Sequence, residues 1–203
     1  MKIVYLLGVL MFLGMTTGMP ARAQGSEVAA SVSSMPAGVP LDQLVGVMAR
    51  KTGKRFVLDP RAHANVVLIG TSAAELTYPD FLTVLYVYGL AAVEDGKLVA
   101  IVPDANVRQQ ALPTITAKDT RPGSEYVCEV LNEKNVSAAQ LIPILRPMVV
   151  QPGHMASYPE NNALILCDRF ENVRRLEGII HLIAAAEGAK PRASAPSPET
   201  TPR

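Results

Sequence analysis

Residues 77–102 read TYPDFLTVLYVYGLAAVEDGKLVAIV and predict a helix followed by a two-stranded hairpin. Thr77, an early proline and Asp80 together form a typical helix amino-terminal signal. Apolar residues then recur on one helical face: Phe81, Val84, Leu85 and Tyr88. Gly89 ends the helix, and Asp95-Gly96 is a strong hairpin signal between two strand-like runs. This stretch therefore predicts half of a small α+β module.

The residues before this stretch predict the other half of the module. After Pro40, apolar residues follow helical spacing at Leu41, Leu44, Val45 and Met48, and Gly53 stands where a left-handed cap ends a helix. Residues 55–58 and 66–69 are strand-like runs, the first stopped by Asp59-Pro60 and the second by Gly70. We therefore assign residues 27–103 to a first module.

Residues 124–187 predict a second, smaller module. Residues 126–131, 155–158 and 163–167 are strand-like, and two helices are expected, one after a capping box at Ser137 and one capped by Asp168. Pro143 falls inside the first of these helices and should kink it. The order is strand, helix, strand, strand, helix, as in KH folds. We predict an α+β protein in which each module packs a small mixed sheet with two helices.

Three further segments complete the organisation. Residues 1–23 combine Lys2, an apolar run and an Ala21-Arg22-Ala23 site, which predicts a signal peptide cleaved after Ala23. Residues 104–123 are polar and contain two prolines, so we expect a flexible linker. Residues 188–203 are rich in Pro, Ser and Thr and predict a disordered tail. Because the signal peptide directs export, the chain is expected in the periplasm.

Composition and motifs argue against several classes of function. The net charge is +1, and cleavage after Ala23 would remove two positive charges and no negative one, leaving −1. A near-neutral chain without the G-x-x-G loop of KH domains is not expected to bind nucleic acid. We find no G-x-S-x-G, H-E-x-x-H or P-loop motif, and we expect no enzyme activity, no cofactor and no small-molecule substrate.

The two cysteines, Cys128 and Cys167, both lie in predicted strands. An oxidising compartment permits a disulfide between them, but two buried free thiols are equally compatible with the sequence. The histidines, His63, His154 and His181, are scattered and do not stand at ligand spacing from either cysteine, so no metal site is expected.

The residues of both modules resemble the amino-terminal periplasmic modules of secretins, above all the secretin of type II secretion. The first module carries Val39-Pro40-Leu41-Asp42-Gln43-Leu44, Phe56-Val57-Leu58-Asp59-Pro60 and Leu85-Tyr86-Val87-Tyr88-Gly89-Leu90. The second resembles the module that follows in secretins, through residues 135–146, Asn161-Asn162-Ala163-Leu164-Ile165-Leu166 and residues 171–177. Nothing in the chain resembles the pore-forming region, so we do not expect it to form the channel.

The resemblance implies a protein-interaction role in a type II-like secretion system. In secretins the first module meets the periplasmic part of an inner-membrane assembly protein, and the modules stack into rings. We therefore expect that protein as a partner, together with a full-length secretin or copies of this chain, and association with an outer-membrane secretin complex. We predict docking by strand addition. The candidate edge residues are Ser31, Val32, Ser33, Val66, Val67 and Leu68, unless these strands pair with each other inside the module.

Two alternatives remain at this stage. The first secretin module is similar to the signalling domain of TonB-dependent receptors, which contacts an anti-sigma factor, although that class normally lacks a second module. The second alternative is a truncated product without function, whereas in the secretion role the chain is expected to be an accessory subunit or a split secretin whose pore is another chain. Genes neighbouring the reading frame would distinguish these possibilities. The sequence does not give the oligomeric state or the transported substrate.

Overall fold

The computed structural model describes residues 37–189, and the predicted signal peptide, Ser31, Val32, Ser33 and most of the predicted tail lie outside them. The predicted α+β class is confirmed. Helices and strands alternate in two successive parts of the chain, each with its own sheet and its own apolar core.

The first module contains two helices and five strands. They are β1 (Val39–Pro40), α1 (Leu41–Thr52), β2 (Arg55–Leu58), β3 (Asn65–Val66), α2 (Tyr78–Val87), β4 (Leu90–Asp95) and β5 (Leu98–Pro103). Strands β2, β5 and β4 form a mixed sheet in that order, with β2 parallel and β4 antiparallel to β5. Strands β1 and β3 form a separate antiparallel pair. The strand predicted at residues 66–69 is therefore shorter and begins one residue earlier.

The helix signals of the first module act as the sequence predicts. The Thr77 and Asp80 side chains each bond the other residue's backbone N–H, at 3.4 Å to Thr77 Oγ1 and 2.9 Å to Asp80 Oδ2. Gly53 ends α1 with φ +68°, a conformation that costs glycine little. The apolar faces of the two helices meet the sheet in a core that contains Leu44, Met48, Phe81, Leu85 and Ile101.

The second module contains two helices and four strands. They are β6 (Thr114–Ile115), β7 (Tyr126–Asn132), α3 (Ala138–Leu145), β8 (His154–Tyr158), β9 (Ala163–Arg169) and α4 (Phe170–Gly188). The predicted order from β7 to α4 is confirmed. The strands form one sheet in the order β6-β7-β9-β8. Both helices pack against one face of it, over Val127, Leu141, Leu166, Leu176 and Ile180.

Two helix caps in this module do not form as predicted, although Ser137 does stand at the N-cap position of α3. The Ser137 side chain makes no capping hydrogen bond to α3. Instead, Asn162 reaches across from the β8–β9 turn, and its Oδ1 accepts the Ala138 N–H at 2.8 Å. Helix α4 begins one residue later than predicted, with Arg169 at the cap position, while Asp168 is fully buried. Tertiary contacts have therefore taken over the role that local sequence signals suggested.

The segment between the modules, which we expected to be a flexible linker, carries secondary structure. Residues Asp104–Gln109 form a 3-10 helix, and Val107 within it is completely buried. Strand β6 pairs in parallel with β7, with Thr114 opposite Cys128. The segment 104–123 therefore packs onto both modules.

Candidate protein-docking surfaces

The described part of the predicted docking edge, Val66 to Leu68, already takes part in internal contacts. Val66 pairs with Val39 and is 1% exposed, and Leu68 packs against the core of the first module. The Val67 N–H donates to the Tyr88 hydroxyl at 2.8 Å. The other predicted residues, Ser31, Val32 and Ser33, lie outside the described part of the chain. Val66 thus pairs inside the module, but with Val39 rather than with the other candidate edge.

Within residues 37–189, every strand at the end of a sheet has a strand partner on one side alone, and these end strands are β1, β3, β2, β4, β6 and β8. Strand β2 is at the edge of the first sheet, with β5 as its strand partner, and β8 is at the edge of the second sheet, beside β9. Sequence reasoning missed β2 because residues 55–58 read equally well as an inner or an edge strand. An unpaired edge offers backbone N–H and C=O groups to a partner strand.

The two modules share a small apolar cluster. Ala91 and Val93 of β4 contact Val107 of the 3-10 helix and Tyr126 of β7, and all four residues are buried. Their partly buried neighbours in the cluster are Val102, Leu112 and Val150. The face of the first sheet that points away from its own helices is therefore covered, on the β4 side, by the connecting segment and the second module.

Polar contacts cross the same junction. The Tyr126 hydroxyl lies 3.5 Å from Asp104 Oδ2, and the Arg169 guanidinium stacks 3.7 Å from the centre of the Tyr86 ring. Burial raises the pKa of Asp104, although its contact with Tyr126 opposes this shift. Burial also raises the pKa of Tyr126, so the phenol stays neutral at any physiological pH. The junction therefore holds polar groups in fixed places as well as apolar ones.

A buried ion pair joins β7 to helix α4, and its arginine also bonds the connecting segment. Glu129 is 2% exposed, and both of its carboxylate oxygens lie 3.1 Å from Arg174 Nη1. Arg174 also donates to Glu177 at 2.6 Å and to the Thr116 carbonyl at 2.6 Å. Burial raises the pKa of Glu129, whereas the hydrogen bond from Arg174 lowers it. Because the charged groups of Arg174 and Glu129 bond each other, Glu177 and the backbone, we assign this ion pair a structural role.

Cys128 and Cys167 are joined by a disulfide, with their Cα atoms 4.1 Å apart. They stand directly opposite each other on β7 and β9. Their side chains project from the sheet face opposite the helices, since the alternate residues Val127 and Leu166 project into the core. Of the two pairing states left open by the sequence, the structure has the bridged one.

The described residues offer no cluster of three or more His, Cys, Asp or Glu side chains arranged to hold a metal ion. Among the same residues, no helix is both long and apolar enough to cross a bilayer. The arrangement of edges and apolar surface is instead suited to contacts with other proteins.

Comparison with known proteins supports this view. The family model of the GspD-like N0 domain matches residues 37–101. The secretin XcpQ of Pseudomonas aeruginosa is 32% identical over 140 residues, covering 68% of this chain and 20% of that protein. The secretin GspD of Vibrio cholerae is 28% identical over 169 residues, covering 81% of this chain and 24% of that protein. The chain thus spans about a fifth to a quarter of the length of these relatives.

A solved structure shares the fold. It is the type II secretion system outer membrane complex of Klebsiella pneumoniae, with PulD, PulS and the PulC HR domain. The alignment has a TM-score of 0.64 and 23% identity, and it covers 74% of this chain and 26% of that chain. The match therefore extends beyond the first module into the second.

Proposed function

Because residues 37–101 of this chain are an N0 domain of the type II secretion secretins, we propose that the chain is a non-enzymatic module that docks onto other proteins of a periplasmic secretion assembly. Secretin amino-terminal domains are structural components of secretion systems and lie in the periplasm. The observation that carries the proposal is the match of the first module to this domain, joined to a second module within one shared fold.

The partner we propose is the periplasmic region of an inner-membrane assembly protein, together with a secretin ring or further copies of this chain. Two observations support this choice. The similar Klebsiella complex contains the PulC HR domain and PulS together with PulD. The sheets of this chain also have unpaired edges, at β2 and β8, of the kind that bind extended strands. A signalling role like that of TonB-dependent receptors is not favoured, since the curated relatives that match are secretins.

We propose that Ser31, Val32 and Ser33 form the first docking edge, and that Val66 to Leu68 support it. In strand addition most of the affinity comes from backbone hydrogen bonds. Alanine at Val32 or Leu68 should therefore weaken binding only modestly. Proline at Val32 removes an N–H and fixes φ, so it should abolish binding. Proline at Val67 is not a useful probe, because that N–H bonds Tyr88 inside the module.

The experiment is capture of the purified periplasmic region of an inner-membrane assembly protein by the exported chain. We expect the parent and Ser194→Pro, a matched proline change in the Pro-rich carboxy-terminal sequence, to bind equally. Val32→Pro should lose binding while circular dichroism stays unchanged. Equal binding by Val32→Pro would exclude this edge, and no binding by the parent to any secretion component in cell crosslinking would exclude the function.

We also propose that the chain is exported and processed after Ala23. The mass of the protein purified from the periplasm should then correspond to a chain that starts at Gln24. Recovery of the unprocessed chain in the membrane fraction would contradict this proposal.

A further inference from the structure

We propose that β2 and the groove beside it form a second docking site, which takes an extended strand of another protein with apolar side chains on both faces and a carboxylate beside Arg55. The proposal rests on the proposed function only for the class of partner. It concerns a strand edge that is distinct from Ser31–Ser33 and from Val66–Leu68.

The backbone of β2 has the polarity that strand addition requires. The Asp59 N–H donates to the Ile101 carbonyl at 2.9 Å, which fixes the residues of β2 that face β5. In a parallel ladder these are alternate residues, so Val57 faces β5 while Phe56 and Leu58 direct their N–H and C=O groups outward. Strand β2 has no second strand partner among residues 37–189. A docked strand would satisfy these outward groups.

The outer face of β2 is apolar where it meets this edge. Val57 is 49% exposed and Leu98, on the neighbouring strand, is 43% exposed. Both belong to the sheet face whose β4 side, at Val93, is covered by Val107 and Tyr126. Val57 and Leu98 thus form an exposed strip that continues the apolar surface which the second module already covers in part. A partner side chain placed beside Val57 would complete the cover.

A single positive charge lies on the same strip. Arg55 is exposed, pairs in register with Leu98, and has no ion-pair partner among the described residues. The neighbouring Lys54, in contrast, is paired with Glu94. A carboxylate two residues from the apolar side chain that meets Val57 would lie beside Arg55 on the same face. This charge selects an acidic residue in the partner.

The inner side of the edge leads into a groove of about 410 Å³ beside Leu58. The groove is lined by Pro40, Leu41, Asp42, Ala62, His63, Ala64 and Asn65. Its floor is apolar, since Leu41 and Ala62 are buried core residues, and its rim is polar. An apolar side chain on the inner face of a docked strand would enter this groove. The two faces of the edge therefore both select apolar residues, and one of them also selects a carboxylate.

The test uses two soluble peptides and the full exported chain labelled with ¹⁵N. One peptide carries Glu-Val-Val-Val, which matches Arg55 to Leu58 in parallel, and the other carries Val-Val-Val-Glu for the antiparallel arrangement. We expect one of them to shift the amide resonances of residues 55–58 and 62–65 and to protect the Phe56 and Leu58 amides from hydrogen exchange. The same peptide, N-methylated at the residues whose N–H groups face β2, should not bind.

Three variants distinguish binding at this site from nonspecific binding of the peptide. Val57→Glu should weaken binding at least about tenfold, which corresponds to about 1.4 kcal/mol. Leu182→Glu, at a side chain of α4 that is 74% exposed, should leave binding unchanged. Arg55→Glu should reject the acidic peptide and bind a peptide with Lys in place of Glu.

Binding of neither peptide, equal binding of the N-methylated peptide, or equal loss in Leu182→Glu would overturn the proposal. These outcomes do not depend on the natural partner. If the peptides do not bind but the chain still captures the assembly protein, the proposed function stands without this site. If the peptides bind but the assembly protein is not captured, this site stands without the proposed function.

Discussion

Replacing Asn162 should lower the free energy of unfolding of the second module more than replacing a typical exposed polar residue does. Asn162 has φ +55°, in the left-handed region, and its side chain makes three hydrogen bonds to the backbone before and at the start of α3. Oδ1 accepts from Ala138 N at 2.8 Å, and Nδ2 donates to the carbonyls of Glu133 at 2.6 Å and Val136 at 2.8 Å. One side chain therefore closes the β7–α3 connection and caps the helix.

The magnitude follows from these contacts. Three hydrogen bonds at about 0.5–1.5 kcal/mol each give about 1.5–4.5 kcal/mol. Asn162→Gly removes the hydrogen bonds but tolerates the positive φ, so it should lower the free energy of unfolding by about that amount. Asn162→Ala adds the left-handed strain of a side chain, which costs about 1–2 kcal/mol more. The difference between the two variants therefore isolates the backbone contribution.

Urea unfolding followed by circular dichroism measures both variants against the parent. Asn132→Ala is the matched control, since the exposed Asn132 side chain donates one hydrogen bond to the same turn, at the Asn161 carbonyl. We expect this control to cost less than about 1 kcal/mol. A glycine variant as stable as the parent, or an alanine variant no worse than glycine, would refute the reasoning.

Three other predictions concern the junction and the disulfide. Reduction of the Cys128–Cys167 bridge, or its replacement by Cys128→Ser and Cys167→Ser, should lower the free energy of unfolding by up to about 4 kcal/mol, because the bridge joins residues 39 positions apart. Equal melting temperatures with and without reductant would contradict this prediction. Tyr126 lies in the apolar cluster between the modules, so calorimetry of the parent should give one unfolding transition, and Tyr126→Ala should split it into two. Two transitions in the parent would show that the cluster does not couple the modules. Burial raises the folded-state pKa of Asp104 above its unfolded value, so its contribution to stability should grow as the pH falls through the raised pKa. Asp104→Asn should remove that part of the pH dependence, and identical pH profiles of the two proteins in urea unfolding would be the contrary result.

Much of the fold could be predicted because its signals are local. The Thr77–Asp80 capping box, the Gly53 cap and the apolar spacing of α1 and α2 are each contained within a few residues. The order of β7, α3, β8, β9 and α4 follows from alternation and helical periodicity in the same way. The caps at Ser137 and Asp168 do not form as predicted because a distant side chain, Asn162, and burial of the aspartate decide those positions.

The docking surfaces could be predicted only in part. That the chain presents strand edges follows from small sheets with few strands, and the partner class that we propose comes from the resemblance to secretins. The sequence does not reveal which strand has an unpaired side. Val66 was expected at a free edge and pairs with Val39 on one side, whereas Val57, whose strand reads equally well as inner or edge, lies on the end strand β2.

The sequence by itself thus determined the α+β class and most of the order of the elements, because capping, periodicity and turn signals act between residues that are close along the chain. The tertiary structure alone decided three other features: the packing of residues 104–123 between the modules, the pairing of Cys128 with Cys167, and the open edge at β2. Each depends on which segments, distant in sequence, lie side by side. Strand order and the burial of a connecting segment are set by the free energy of the whole core, and no local pattern of residues carries that information.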